Sequence, residues 1–145
     1  MKIRRIIGVT MAFSVASLGV VVAAPQANAV GNTDVGRDYG LVLRARMWQH
    51  SDKGGAALSV YGSSVCSSTT SDRDITQNQL DYGLFNNWND VISSAADFNR
   101  CDTYLYWDTY LNGELRSGNW DGTNGGYVNL PDLRFNDVTS SFYLS

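Results

Sequence analysis

"WNDVISS", residues 88–94, and "FNDVTSS", residues 135–141, spell one motif twice: an aromatic residue, then Asn-Asp-Val-x-Ser-Ser. In a chain of 145 residues such a recurrence points to an internal duplication. A second pattern keeps the same register. "WQHSDKGG", residues 48–55, and "YWDTYLNG", residues 106–113, each run from an aromatic residue to a glycine seven positions on. A bent hairpin accounts for that spacing, with the aromatic packed over the fold and the glycine taking a backbone geometry that side chains resist. From Gly55 to Asn89 is 34 residues and from Gly113 to Asn136 is 23, so the first copy carries eleven extra. They fall between Gly62 and Asn86, in a stretch rich in Ser, Thr, Asp and Asn. The chain therefore reads as two copies of one four-strand unit, about 43–98 and 102–145, preceded by an N-terminal segment, 30–42. Neither copy can bury its apolar face alone, so the two are expected to pack as a sandwich.

The local patterns agree with an all-β fold. "LVLRARMWQH", residues 41–50, is β-prone and alternating. In "DTYLYWD", residues 102–108, Tyr104 and Tyr106 fall on one side of a strand, and Leu105 and Trp107 on the other. "SSFYLS", residues 140–145, reads as a short terminal strand, and Gly, Asn, Asp and Ser clusters separate these runs. One stretch, Thr76–Phe85, is the candidate for a short helix.

Residues 1–29 are set apart by composition. Lys2, Arg4 and Arg5 precede an apolar run from Ile6 to Ala24, and Ala27-Asn28-Ala29 closes it. A basic start, an apolar middle and an A-x-A end describe a secretory signal peptide cleaved after Ala29, and hence a secreted, extracellular protein. Without it eight basic residues face fourteen acidic ones, a net charge of −6. An acidic chain with no Lys/Arg cluster argues against nucleic acid and anionic membranes as partners. Cys66 and Cys101 are the two cysteines, and in a secreted chain a pair most simply forms a disulfide. A reactive or metal-binding thiol pair is the alternative. It has little behind it, since the chain has one histidine, His50, and no C-x-x-C.

The doubled hairpin and doubled Asn-Asp-Val-x-Ser-Ser together resemble the βγ-crystallin superfamily. Its Greek-key unit pairs an aromatic–x6–Gly hairpin with Asn/Asp-Asn/Asp-x-x-Ser/Thr-Ser. The resemblance spans Leu43 to Ser145 and implies two Greek-key motifs forming one β-sandwich, expected as a monomer. The positions of Cys66 and Cys101 are also similar to those in bacterial secreted members grouped with a metalloproteinase-inhibitor family. The Cys-Pro-x-Gly-x-x-Cys stretch that opens many of those members is absent here.

What the resemblance implies about chemistry is calcium binding at two weak sites. Calcium takes six to eight oxygens at about 2.3–2.6 Å. In the family the motifs cross: Asp90 would share an ion with Ser140, and Asp137 would share one with Ser93. Backbone carbonyls would come from Val91 and Val138, and from the hairpins at Gln49 and Trp107. Asn89, Ser94, Asn136 and Ser141 would brace the loops, chiefly through hydrogen bonds to backbone. One carboxylate per site implies dissociation constants of about 10⁻⁵–10⁻³ M.

Enzymatic catalysis has little basis in the sequence, which lacks a G-x-S-x-G and a second histidine. The tyrosines and tryptophans would also suit a sugar platform, but in a small sandwich they serve more often as core and cross-strand pairs. Three functions remain: a calcium-binding module, an inhibitor of an extracellular metalloproteinase using the loop after Cys66, or a secreted antimicrobial or antifungal protein.

Overall fold

Alternation in Val42–His50 puts Ala45 and Met47 on one face, both fully buried, and Arg46 on the other. The computed structural model describes residues 30–145 other than 68, 70, 82 and 86. The signal-peptide assignment, 1–29, and Asn86 at the end of the insertion lie outside the described residues.

Among the described residues nine strands form two sheets. They are β1 (Thr33–Val35), β2 (Val42–His50), β3 (Gly54–Gly62), β4 (Ile75–Gln77), β5 (Ser94–Asp97), β6 (Thr103–Asp108), β7 (Asn112–Gly118), β8 (Val128–Asn129) and β9 (Ser141–Leu144). One sheet has the order β1-β3-β2-β5-β8 and the other β4-β9-β6-β7. The duplication is visible in this order. In each unit the first two strands form a hairpin and the last pairs beside it. The third strand crosses to the other unit's sheet: β4 pairs with β9, and β8 with β5. The N-terminal segment adds β1 parallel to β3, outside the four-strand repeat.

The core lies between the sheets. Met47, Leu58, Val60, Ile92, Leu105, Phe142 and Leu144 fill it, and the two motif aromatics, Trp88 and Phe135, are fully buried in it. Trp88 keeps its indole N–H satisfied by donating to Thr33 Oγ1 at 2.9 Å.

One local expectation is corrected. Thr76–Phe85 is not a helix: Thr76 and Gln77 belong to β4, in register with Tyr143 and Phe142, and Gly83–Phe85 makes one 3-10 turn. Pairing with β9 overrides the weak helical pattern, and Gly83 sits at φ 66°, which no helix continues through. Trp107, expected on the side of Leu105, packs edge-on against the buried Phe135 and stays 43% exposed where the strand register shifts between Tyr106 and Asp108.

The insertion is laced down. Arg44, itself buried, donates from Nε to Ser64 O at 2.9 Å. Ser67 N donates to Asp74 Oδ2 at 3.0 Å, and Ser67 Oγ and Thr69 Oγ1 both donate to Asp72 Oδ1. Cys66 is joined to Cys101, with Cα atoms 5.0 Å apart, and no described cysteine is free. The pair spans 35 positions, for which the chain-entropy account of disulfides gives about 4 kcal/mol. Replacing both cysteines by alanine should lower the unfolding free energy by about 2–4 kcal/mol and raise the m-value, since the unfolded chain is released from its cross-link, both read by denaturant unfolding. An unchanged unfolding free energy would show that the hydrogen bonds around the loop suffice.

Candidate functional site

Each motif begins just after a fully buried aromatic, so its next residues turn across the end of the sandwich. The second motif residue adopts the left-handed backbone, Asp90 at φ 55° and Asp137 at φ 52°. Aspartate tolerates that conformation better than most side chains, which gives the motif a local reason for its Asn-Asp start. The turns then cross: Asp90 N–H donates to Thr139 O at 3.0 Å, and Asp137 N–H donates to Ile92 O at 3.1 Å.

This crossing brings each aspartate to the other copy's serine. Ser93 Oγ lies 2.7 Å from Asp137 Oδ1 and 2.8 Å from Gln49 O. Ser140 Oγ donates to Asp90 Oδ1 at 3.2 Å. Gln49, Asp90, Val91 and Asp137, with His50, line a cavity of about 140 Å³ at this end. Trp107 and Val138, expected to offer backbone carbonyls, are not among the residues that line this cavity. Among the described residues no three His, Cys, Asp or Glu side chains converge as a metal cluster. The local oxygens are therefore one carboxylate per pair plus neutral groups.

The serines that close the motifs act on the hairpins. Ser94 Oγ donates to His50 O at 2.7 Å and accepts from Lys53 N–H. Ser141 Oγ donates to Asp108 O at 2.6 Å and accepts from Leu111 N–H. Asn89 and Asn136 behave differently from expectation. Each donates its amide N–H to the carboxylate of the next residue, Asp90 Oδ2 at 2.8 Å and Asp137 Oδ2 at 2.6 Å, rather than to backbone. Asn89 Oδ1 is buried with no hydrogen-bond partner.

The matched serine bonds place His50 and Asp108 in equivalent positions, a pair the sequence reading passed over. The overlay of "WQHSDKGG" on "YWDTYLNG" already sets the two in register, but neither residue type stood out there as a site residue. Burial lifts the Asp90 carboxyl above the usual carboxylate range, and the nearby Asp108 and Asp137 add to the rise, while bonds from Ser140 and Asn89 oppose it. The Asp90 pair thus sits in a more negative field than it would with a histidine in place of Asp108.

No family model and no curated protein matches the chain. Solved structures do. A βγ-crystallin structure that bears on the evolution of the eye lens βγ-crystallin domain fold is 19% identical, covering 70% of this chain and 84% of its own, with a TM-score of 0.52. The N-terminal domain of protein S is 14% identical over 70% of this chain and 94% of its own, with a TM-score of 0.50. The chain has the all-β fold of βγ-crystallin domains, two Greek keys in a sandwich. These likenesses support the βγ-crystallin resemblance and lend nothing to the metalloproteinase-inhibitor grouping.

A second acidic locus lies away from the motifs. Asp97, on β5, is 1% exposed, accepts from Trp120 N–H at 2.9 Å and lines a cavity of about 310 Å³ with Asn99, Asn119 and Asp121. Burial pushes its carboxyl up to about 6, with Asp102 and Asp121 adding to the rise and the Trp120 N–H opposing it. The folded protein therefore holds this proton more tightly than the unfolded chain, and stability from this group is lost as pH rises from about 4 through about 6. Asp97→Asn keeps an acceptor for Trp120 and removes the charge. It should stabilise the protein at pH 7.5 by about 2 kcal/mol and leave it unchanged near pH 3.5, measured by denaturant unfolding at both values. Equal effects at the two pH values would contradict the assignment.

Proposed function

We propose that the chain is a secreted, calcium-binding βγ-crystallin module stabilised by its metal and its disulfide. One observation carries this reading. Ser93 Oγ stands within hydrogen-bond distance of two acceptor oxygens, Asp137 Oδ1 and Gln49 O, but a hydroxyl has one proton to give. Three oxygens from three separate segments therefore converge with one short contact left without a proton. A hard cation that prefers oxygen relieves such crowding. Asp137, Ser93 and Gln49 would hold one ion, and Asp90 with Ser140 the other; the ion would supply positive charge that joins the two halves. The signal peptide read from residues 1–29 supports an extracellular setting, where millimolar calcium suits sites of this low charge.

A second reading is favoured by the loop after Cys66. Its residues 69 and 71–73 are exposed, yet it is braced by the disulfide and by Asp72 and Asp74, and a pre-organised loop binds a protease at lower entropic cost. Its test is inhibition of an extracellular metalloproteinase that disappears when the disulfide is reduced.

For the calcium reading, saturation at about 100 times Kd stabilises the fold by about 2.7 kcal/mol per site, so the melting temperature should rise by roughly 10 °C and fall back with chelator. Ser93→Ala should leave the metal-free melting temperature within about 2 °C of the parent, because only a crowded hydroxyl is lost, and should reduce the calcium-induced rise. Asp137→Ala should reduce that rise further. Calcium titration calorimetry on the three proteins checks the order, and no heat of binding in the parent protein would remove the reading.

A further inference from the structure

On the outer face of the five-stranded sheet lies a cavity of about 510 Å³, lined by Asn32, Asp34, Arg37, Arg46, Ser59 and Tyr61 among others. Three of its seven lining residues, Asn32, Asp34 and Arg37, come from the N-terminal segment, which the βγ-crystallin repeat does not include. Asp34, Ser59 and Arg46 lie in one cross-strand row, since Ser59 is the register partner of both others. Ser59 and Tyr61 are buried and form the floor. Small-ligand sites run from about 300 to 1,000 Å³, so the size is that of a binding cavity.

The polar groups here are held in place, and each keeps unused capacity. Arg46 Nε donates to Ser59 Oγ at 3.1 Å, while its two terminal nitrogens have no protein partner in the described hydrogen bonds. Arg37 stacks 4.8 Å from the centre of the Tyr61 ring and pairs with Asp34 through Nε at 3.2 Å. Asn32 accepts from Ala57 N–H through Oδ1 at 2.8 Å, which leaves its NH₂ to donate. Two guanidinium groups and one carboxylate give the cavity a net charge of +1, on a described chain whose eight basic and fourteen acidic residues sum to −6.

We propose that this cavity binds a carboxylate-bearing sugar of the uronic acid class. The terminal nitrogens of Arg46 form the fork that takes a carboxylate bidentately. Asp34 accepts from, and Asn32 donates to, the sugar hydroxyls. A neutral sugar would leave the Arg46 fork unpaired, and a phosphate dianion would meet the Asp34 carboxylate. Free monosaccharide and a uronate unit within a polysaccharide present the same chemistry. The proposal does not depend on calcium binding.

Titrations followed by ¹H–¹⁵N NMR test it, using glucuronate, a short galacturonate oligomer, glucose, acetate and inorganic phosphate. Glucuronate or the oligomer should shift the amides of Ala57, Ser59 and Tyr61 and the Arg46 Nε–H saturably below about 10 mM. A response to the monosaccharide places the free sugar in the site; a response to the oligomer alone places a polymer there. Arg46→Gln should abolish the shifts, and Arg46→Lys, which keeps the charge without the fork, should weaken binding roughly tenfold. The melting temperature of each variant reports that it remains folded. The proposal is overturned by no saturable shift with either uronate, by an equal response to acetate, glucose or phosphate, or by shifts that persist in a folded Arg46→Gln protein.

Discussion

Two backbone hydrogen bonds, Asp90 N–H to Thr139 O and Asp137 N–H to Ile92 O, fasten each motif to the other. They exist because the third strand of each unit pairs in the other unit's sheet, β4 on β9 and β8 on β5. With the third strands exchanged, neither half has a complete sheet of its own, and the two motif turns meet at one end of the sandwich. The placement of Ser93 beside Asp137 and of Ser140 beside Asp90 follows from that exchange. The asymmetry between the pairs has a different origin: His50 and Asp108 hold matching places in the two hairpins, each bonded by the closing serine of its own unit, and they differ in charge.

The duplication was legible in the sequence because its requirements are local. Gly55 and Gly113 take φ of 73° and 78° in the hairpins, and Asp90 and Asp137 take the left-handed turn; few residues suit either place, so the letters recur. The exchange of third strands was not legible. β4 has three residues and β8 two, too short to carry a period, and their pairing is decided by the partner sheet. The same limit hid β1, a three-residue strand in the N-terminal segment, and made Thr76–Phe85 look helical.

At the site, the pairing of aspartates with serines came from family resemblance, and the geometry brings those pairs together. What spacing could not supply was side-chain direction. Asn89 and Asn136 turn to the neighbouring carboxylates because those lie one residue away at a left-handed bend. Trp107 stays 43% exposed beside the buried Phe135, at a shift in strand register that no residue type announces. Asp97 shows the complementary case: a carboxylate in a short apolar-looking strand, buried because the segment before β8 closes over it through Trp120.

The disulfide has a consequence for assembly. A fold whose halves complete each other's sheets can also complete them between two chains, the halves trading places in a swapped dimer. Such trading needs the connection between the halves to open out. That connection, Phe98 to Asp102, is folded back on itself by the bond from Cys101 N–H to Phe98 O, and Cys66 N–H donates to Asn99 O within it. The Cys66–Cys101 bond then locks the connection against the first unit covalently. A swap would have to open this hinge against the cross-link, so the same bond that bears on stability would also bear on molecularity.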